Sequence, residues 1–346
     1  MKKHLLLTCI AALTLSACGK APVTGPKTVD NMTVGEKVAQ MLMVRCDDRK
    51  MKRILSLKPG GIVMFGVDFE GLDRDTVTAK IAGYKSALDI EPIIAVDEEG
   101  GTVVRVSSNP ALSPEKYQSP RDYYDMGGLD TVLLKEAQKC DLLSSLGITM
   151  NLAPVADIST DPEYFMYKRS LGRDAAETAG YISAVVNTMH EHNVRSCLKH
   201  FPGYGGNLDT HTGIATDDRP LSQFYENDFL PFKAGIEAKT DAILVAHNII
   251  TDVDASQPAS ISPAVHEILR NELGFDGIII TDDMSMGAMA KYSEPYKKAV
   301  LAGNDMIIVS DPDTAYNEIL KAVKTGAIPM EIIDKAVSRI LAAKKN

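Results

Sequence analysis

The chain has 346 residues and a formal net charge of −9 at pH 7, because its 46 aspartates and glutamates outnumber its 37 lysines and arginines. Binding to nucleic acid requires a basic face for the phosphates, so this balance argues against a nucleic-acid partner. Only Cys46, Cys140 and Cys197 follow Cys18, and an odd number of widely spaced cysteines without a CxxC pair predicts neither a disulfide framework nor a structural metal site.

Residues 1–17 have the layout of a secretory signal. Lys2 and Lys3 precede an apolar run over 5–15, which is too short to cross a bilayer, and small residues follow it. The end of this segment, Leu-Ser-Ala before Cys18, resembles a bacterial lipobox, in which the cysteine becomes the lipidated first residue of the mature protein. We therefore predict a lipoprotein signal peptide over 1–17, lipidation of Cys18, a flexible tether over 18–32 and a lipid-anchored protein of the cell envelope, periplasmic or outer-membrane. An ordinary signal peptide with an incidental cysteine is the alternative.

Short apolar, β-branched runs alternate with longer amphipathic stretches from residue 33 to residue 346. The short runs are too uniformly apolar to have a solvated face, as expected of parallel strands covered by helices. They predict eight strands, at 41–45, 61–65, 93–97, 149–155, 196–200, 242–247, 277–281 and 305–310. The longer stretches predict helices near 33–40, 71–89, 129–146, 174–192, 220–238, 262–273, 287–302, 313–325 and 329–344.

The alternation of strands and helices over 33–346 predicts one α/β domain, a single (β/α)8 barrel of the TIM type, with a doubly wound open sheet as the runner-up. The position of the polar residues favours the barrel, because the strand ends of a barrel converge on the face where such enzymes perform their chemistry. Six polar residues lie at or just after the ends of predicted strands: Asp97, Asp157, Lys199, His200, His247 and Asp282.

The stretch from Lys199 to His211 combines a cation, two imidazoles and a carboxylate with three glycines. Lys199 and His200 end a strand and are expected to face the barrel mouth. Asp209 and His211 are two residues apart, so in an extended segment they project to the same side and the carboxylate can orient the imidazole. Such a pair suits a general acid/base that works near neutral pH, although a polar loop with a chance histidine has the same composition.

Two further motifs place carboxylates at strand ends. The run of Asp97, two glutamates and two glycines is either a solvated turn or a set of acceptors for the hydroxyl groups of a polyol ligand. Arg105 and Arg169 either supply charged donors to the same pocket or form surface ion pairs. After another strand, one of the adjacent Asp282 and Asp283 is expected to face the reacting centre as nucleophile, base or metal ligand, while the other supports it or caps the next helix.

These motifs resemble those of the family 3 glycoside hydrolases, in the single-domain β-N-acetylglucosaminidase branch. The similarity runs from about residue 33 to the C-terminus. Its most specific elements are 199–203 with Asp-Thr-His at 209–211, which resemble the family's KHFPGHG…DSH, and Thr-Asp-Asp-Met at 281–284, which resembles its SDDL motif. Supporting matches lie at 97–105, 152–158, 169–172, 246–247 and 302–306.

The chain also departs from the family pattern. Tyr204 stands where the family usually has a second histidine, the interval from Gly205 to Asp209 is one residue shorter, and Thr210 replaces serine. Earlier in the chain, glutamine is replaced by glutamate at 98 and arginine by threonine at 102. These differences concern the reach of His211 and the aglycone side of the pocket rather than the class of reaction.

The resemblance implies a retaining exo-β-N-acetylglucosaminidase that acts on cell-wall fragments or related glycans through a glycosyl-enzyme. It implies that Asp282 attacks the anomeric carbon and that His211, held by Asp209, protonates the leaving oxygen and later activates water. It also implies that the sugar is bound by Asp97, Arg105, Arg169, Lys199 and His200. The mechanism needs no metal or other cofactor. The expected partners of a monomeric protein are a carbohydrate substrate and a membrane reached through the lipid anchor.

Three other functions are compatible with parts of this pattern. A family 3 phosphorylase or β-glucosidase variant would use the same residues, since a histidine acid/base does not repel phosphate as a carboxylate would. A metal-dependent barrel hydrolase would take its ligands from His200, His211, His247 and Asp282, but the early histidine pair of that class is missing. A lipid-anchored, non-catalytic sugar-binding protein would have no chemical need for the nucleophile or for the Asp–His pair.

Overall fold

A computed structural model of the protein describes residues 27–206, 213 and 215–345. The strands in this part of the chain are β1 Leu42–Arg45, β2 Gly61–Met64, β3 Ile93–Val96, β4 Met150–Asn151, β5 Arg195–Phe201, β6 Thr216–Asp217, β7 Ala242–Val245, β8 Ile249–Ile250, β9 Ile278–Thr281 and β10 Ile307–Val309. Eight of them form one sheet in the order β10-β1-β2-β3-β4-β5-β7-β9, and every pairing in it is parallel. The remaining two, β6 and β8, form a separate parallel pair.

The eight-stranded sheet curls until its two end strands meet. Ile280 in β9 forms a parallel bridge with Met306, the residue before β10. The backbone N–H of Thr281 also donates to the Met306 carbonyl at 3.2 Å. An open sheet would leave β9 and β10 as separate edges, so the predicted single (β/α)8 barrel is confirmed as a nearly closed α/β barrel.

Helices connect the strands of this barrel. They are α1 Val34–Gln40, α2 Met51–Leu57, α3 Arg74–Ser86, α4 Pro120–Ser145, α5 Ala175–Glu191, α6 Leu221–Gln223, α7 Phe229–Glu237, α8 Thr251–Asp254, α9 Pro263–Glu267, α10 Pro295–Ala302, α11 Pro312–Lys324 and α12 Met330–Ala343. Short 3-10 turns lie at Val29–Asn31, Gly66–Asp68, Ala259–Ile261 and Gly287–Met289, and π-helical turns at Phe224–Asp228 and Ile268–Glu272 continue α6 and α9.

Most residues of the barrel strands are apolar, as expected where helices and the barrel interior cover both faces. Every residue of β2, β3, β7 and β9 is buried. Removing one aliphatic side chain of this size from water stabilises the fold by about 1.5–3 kcal/mol, so the strands favour this covered arrangement strongly. The polar residues that follow the strands are thereby carried to the rim of a rigid scaffold.

Strand β4 is shorter than the predicted strand over 149–155. Pro154 has no N–H to donate and cannot continue a ladder on that side. Beyond the proline, Val155 forms a single parallel bridge with Lys199. The segment nevertheless stays beside β5, because the Cys197 N–H donates to the Ala153 carbonyl at 2.8 Å and the Ala156 N–H donates to the Lys199 carbonyl at 2.7 Å. Asp157 follows directly after it.

The helix boundaries differ from the prediction where local capping decides them. Helix α4 begins at Pro120 rather than near 129, because Ser119 accepts a hydrogen bond from the Asp122 N–H at 3.2 Å and its own hydroxyl donates to the Asp122 carboxylate at 2.6 Å. Non-helical backbone at Gly127 and Gly128 then bends it. Helix α2 had no counterpart among the predicted helices, and α10 starts at Pro295 rather than at 287.

The packed domain includes residues 27–32, which the sequence placed in the flexible tether. Lys27 pairs with Glu36 at 2.7 Å, Val29–Asn31 form a 3-10 turn, and Met32 is buried. The predicted signal peptide, Cys18 and the rest of the tether fall on residues 1–26, outside the described residues. No helix in the described part of the chain combines the length and apolar character that a membrane span requires.

Gly60, directly before β2, is required by a close backbone contact. A Cβ at this position would lie 1.8 Å from the carbonyl oxygen of Gln40, and a backbone atom cannot rotate away.

We expect Gly60→Ala to lower the free energy of unfolding by about 1–3 kcal/mol, the usual cost of overpacking, as measured by urea denaturation. Gly180→Ala is the control, because nothing lies within 4 Å of a Cβ at that position in α5. Alanine's helix propensity should raise the control's stability by up to about 1 kcal/mol, and equal stability of the two variants would contradict the packing argument.

Candidate active site

The C-terminal ends of the barrel strands surround a cavity of about 680 Å³. Its lining includes six of the residues that the sequence analysis assigned to the site: Asp97, Arg105, Arg169, Lys199, His200 and Asp282. The structure thus brings these side chains together, while their roles stay predictions. Asp209 and His211, like Cys18, lie outside the described residues.

Glu99 connects three of the elements around this cavity. Its carboxylate accepts hydrogen bonds from Arg169 through Nη2 at 2.6 Å and Nε at 2.9 Å, a two-pronged pairing. Lys199 Nζ at the end of β5 lies 2.6 Å from Glu99 Oε1 and 2.6 Å from Asp97 Oδ1. A single carboxylate therefore fixes the positions of both cations, and Lys199 carries the connection on to Asp97.

The charges in this cluster stabilise one another. Burial raises the pKa of Glu99, but the nearby Arg169 and Lys199 outweigh burial and hold that pKa well below its ordinary value. Burial likewise lowers the pKa of Lys199, but Asp97 and Glu99 outweigh it and leave the pKa above its ordinary value. Glu99 and Lys199 are therefore both ionised at neutral pH. In the sequence, Glu99 stands within an acidic run and was not predicted to have a role in the site.

His200 is held in one orientation by Asp157. Its backbone N–H donates to Asp157 Oδ2 at 3.0 Å, and its Nδ1 lies 2.7 Å from the same oxygen. On the other side of the ring, Nε2 lies 3.1 Å from Arg169 Nη2, which can only donate. These partners assign the proton to Nδ1. Tyr204 completes the support, because its N–H donates to Asp157 Oδ1 at 2.8 Å and its ring packs edge-on against His200.

Asp282 follows β9 on another side of the cavity. Its backbone N–H donates to the Val245 carbonyl at 3.0 Å, and its Oδ1 accepts the Asp283 N–H at 2.8 Å. Asp283 also borders the cavity, but its own Oδ1 accepts the Ser285 N–H at 2.9 Å, which holds it in a turn. The two neighbouring aspartates thus have different hydrogen-bond partners, although both border the cavity.

His247 supports the peptide that follows Asp283, the neighbour of Asp282. Its Nε2 lies 3.0 Å from the Asp283 carbonyl oxygen and its Nδ1 lies 2.6 Å from the Ser260 hydroxyl. Burial raises the pKa of Asp282, but the nearby His247 and His200, the Asp283 N–H and Lys199 together leave the pKa below its ordinary value. The Asp282 carboxylate is therefore ionised at neutral pH, as a nucleophile requires.

Arg105 lines the same cavity but stands apart from the Glu99 cluster. Its guanidinium carbon lies 5.7 Å from the centre of the Phe65 ring, with Arg45 at 4.3 Å from that centre. Glu98 fixes the backbone that presents Arg105, because its carboxylate accepts the N–H groups of Arg105 at 2.6 Å and Val106 at 2.7 Å. Neither Arg45 nor Phe65 was singled out by the sequence analysis.

An ion-pair cluster follows the segment 207–212 in the chain. Arg219 binds Asp217 at 2.8 Å and Asp228 at 2.9 Å. Burial raises the pKa of Asp228 to about 6, even though Arg219 opposes this rise. Gly203 is close to the same cluster, since a Cβ on it would lie 2.4 Å from Asp228 Oδ1. Its backbone has a φ of 124°, which favours glycine.

The described residues contain no group of three or more histidine, cysteine, aspartate or glutamate side chains arranged to hold a metal ion. Two histidines of the metal alternative, His200 and His247, have other partners, while His211 lies outside the described residues. His200 contacts Asp157 and Arg169, and His247 contacts Ser260 and a backbone carbonyl.

Residues 33–343 match the family model described as the N-terminal domain of glycosyl hydrolase family 3. A β-hexosaminidase of Stenotrophomonas maltophilia strain K279a is 32% identical over 278 residues, which cover 76% of this chain and 79% of that protein. The β-hexosaminidase LpqI of Mycobacterium tuberculosis is 29% identical over 325 residues, which cover 89% of this chain and 82% of that protein.

Solved structures show the same similarity. A family 3 β-N-acetylglucosaminidase from Paenibacillus sp. superposes with a TM-score of 0.85 at 29% identity, covering 91% of this chain and 62% of that longer chain. The structure of Mycobacterium tuberculosis LpqI gives a TM-score of 0.83 at 26% identity, covering 90% of this chain and 94% of the other. The resemblance drawn from the sequence motifs is confirmed. With the family model spanning nearly all of the described barrel, the chain belongs to glycosyl hydrolase family 3 and is a glycoside hydrolase.

Proposed function

We propose that the protein is a retaining exo-β-N-acetylglucosaminidase that removes terminal β-linked N-acetylglucosamine from cell-wall fragments or related glycans. The observation that carries the proposal is the pairing, in one cavity, of an ionised carboxylate at Asp282 with a fixed polar cluster around Glu99. The printed names of the relatives, β-hexosaminidase and β-N-acetylglucosaminidase, support the same substrate class.

The polar cluster suits the hydroxyl groups of a sugar. Asp97 offers carboxylate oxygens, while Lys199 and Arg169 offer charged N–H donors, and all three border the cavity. Because Glu99 fixes both cations before any ligand arrives, the sugar would meet donors that need little rearrangement. His200 and Arg105 complete the sugar-binding set in this proposal.

The proposed reaction has two steps. Asp282 attacks the anomeric carbon as the bond to the leaving oxygen breaks, and His211 gives its proton to that oxygen. Water then attacks the same carbon as the bond to Asp282 breaks, and His211 takes a proton from the water, so the configuration is retained. A histidine oriented by Asp209 takes the place of the acid carboxyl found in two-carboxylate glycosidases. The roles of His211 and Asp209 rest on the sequence motif.

The alternative functions gain less support. A non-catalytic sugar-binding protein would not need an ionised aspartate held by backbone contacts at the cavity wall. A phosphorylase variant would share the nucleophile and differ in the acceptor, which is phosphate instead of water. A β-glucosidase variant would share the nucleophile and differ in the sugar that it binds.

The proposal also includes the location and the oligomeric state of the protein. Cleavage before Cys18 and lipid attachment there would place the catalytic domain, as a monomer, in the cell envelope.

Asp282→Asn should abolish turnover of an aryl β-N-acetylglucosaminide by the soluble form that lacks residues 1–18. We expect kcat to fall roughly 10³-fold or more, because an amide cannot form the glycosyl-enzyme. Wild-type turnover should need no added metal and should survive a chelator. The matched control is Asp89→Asn, an exposed carboxylate that pairs with Lys58 on the surface. Thermal unfolding of both variants checks the fold, and wild-type-like turnover by folded Asp282→Asn would refute the mechanism.

His211→Ala should separate substrates by their leaving groups. For an aglycone that leaves poorly, such as a sugar or an alkyl group, we expect kcat/KM to fall by about 10²–10⁴-fold, because protonation of the leaving oxygen is lost. For a dinitrophenyl aglycone, which leaves without a proton, kcat/KM should change little. His192→Ala, which removes a surface histidine paired with Asp141, is the control for both substrates. An equal fall for both leaving groups would remove His211 from the acid role.

A further inference from the structure

Outside the cavity lining, three buried polar residues connect to the turn that carries Asp282. They are His247 after β7, Ser260 in the 3-10 turn Ala259–Ile261 and Asn304 before β10, and each is at most 1% exposed. None of the three is among the described residues that line the cavity. Burying polar groups costs free energy unless they are hydrogen-bonded, so their partners show what the group holds in place.

The partners of His247 decide which of its ring nitrogens carries the proton. Nε2 lies 3.0 Å from the Asp283 carbonyl oxygen, which can only accept, so Nε2 is the donor. In the neutral imidazole Nδ1 is then an acceptor, and the Ser260 hydroxyl donates to it at 2.6 Å. The other tautomer would set a lone pair against the carbonyl oxygen. Ser260 therefore selects the form of His247 that can hold the Asp283 carbonyl.

The backbone of Ser260 is held on both sides. Its N–H donates to the Ala246 carbonyl at 2.9 Å, directly before His247. Its carbonyl accepts a hydrogen bond from Asn304 Nδ2 at 2.8 Å, and the same amide donates to the Ala299 carbonyl at 2.7 Å. Because these contacts fix the backbone, the Ser260 hydroxyl has a fixed position relative to the imidazole.

The Asp283 carbonyl belongs to the turn that positions the Asp282 carboxylate. The Asp283 N–H donates to Asp282 Oδ1 at 2.8 Å, while the Asp283 carbonyl accepts from His247. The next N–H, that of Met284, donates to the Ile308 carbonyl at 3.1 Å. Release of the Asp283 carbonyl would free this backbone to rotate, and the N–H that holds the Asp282 carboxylate would move with it.

We propose that Ser260 is a positioning residue for the glycosidase reaction. It acts through His247 and the Asp283 carbonyl on the carboxylate of Asp282. The attacking oxygen must be aligned with the anomeric carbon, so a loss of alignment slows bond formation without weakening the binding of the sugar. This inference rests on the proposed function, because it takes Asp282 as the nucleophile, and it adds to that function the residues that aim the nucleophile.

Ser260→Ala removes the hydroxyl that donates to His247. We expect kcat to fall about tenfold or more, as for a small misplacement of a reacting group. The inhibition constant of N-acetylglucosamine should stay nearly unchanged, because the proposed sugar donors belong to the Glu99 cluster and not to this chain of contacts. Titration with a trapping fluorosugar gives the concentration of active protein, so a smaller folded fraction does not imitate a lower kcat.

Ser262→Ala is the matched control. Ser262 is as fully buried as Ser260 and close to it in the chain, but its hydroxyl donates to the Asp254 carboxylate at 2.7 Å. It should leave kcat unchanged, and thermal unfolding reports what each variant costs in stability. Ser260→Cys nearly keeps the shape of the side chain and donates more weakly. It should show the same pattern with a smaller fall, and it replaces Ser260→Ala in the test if that variant does not fold.

The leaving group distinguishes an effect on the nucleophile from an effect on the acid. Attack by Asp282 is needed whatever the aglycone, so Ser260→Ala should lower kcat/KM by the same factor for a dinitrophenyl and for an alkyl aglycone. His211→Ala, in contrast, is expected to spare the dinitrophenyl substrate. A fall confined to the alkyl aglycone would place Ser260 in the protonation step and would overturn the inference.

A double-mutant cycle tests the route through His247. His247→Gln replaces the imidazole by an amide whose NH2 group donates without a choice of tautomer. Ser260→Ala should then lower kcat in the wild-type background and have little further effect in the His247→Gln background. Equal falls in the two backgrounds would mean that Ser260 acts by another route, and would overturn the inference.

The outcomes separate the inference from the function on which it rests. If Asp282→Asn is inactive while folded Ser260→Ala turns over like wild type, the proposed function stands and the inference is overturned. If wild-type protein does not cleave a β-N-acetylglucosaminide, or if Asp282→Asn keeps full activity, the proposed function fails and the inference falls with it.

Discussion

The arrangement of the active site depends on the buried carboxylate of Glu99. A charged group taken out of water is costly unless it is paired and hydrogen-bonded, and Glu99 meets this condition with Arg169 and Lys199 together. These partners belong to different parts of the chain, so the contact draws the loop after β3, the loop after β4 and the end of β5 into one unit. Breaking it would leave two cations buried with one fewer counter-charge.

A second carboxylate, Asp282, has a different environment in the same cavity. Glu99 is bonded to two cations, whereas Asp282 accepts a backbone N–H and keeps a pKa below its ordinary value near His247 and His200. One carboxylate therefore holds the site together and the other faces the space where a substrate would lie. Glu99 and Asp282 carry the same functional group, so the difference between them comes from the residues that surround each carboxylate.

The sequence predicted the barrel well because its strands are marked by buried β-branched runs, and because strand ends in a barrel meet at one face. Asp97, Lys199, His200 and Asp282 were found by that rule. Glu99 and Asp157 were not given roles, since the partner of Glu99, Arg169, lies far away in the chain and no local pattern links the two. Arg45 also ends a predicted strand but was not assigned to the site. Its position over Phe65 is visible only in three dimensions.

The most direct test of this account is to trap the glycosyl-enzyme with a fluorinated β-N-acetylglucosaminyl fluoride. Its good leaving group lets the first step run ahead of the second, so a covalent intermediate accumulates. Mass spectrometry of the intact protein should show the addition of one fluorosugar, and fragmentation of the labelled peptide should place it on Asp282, with no addition to Asp282→Asn. Attachment to any other residue, or turnover to product with inverted configuration, would contradict the account.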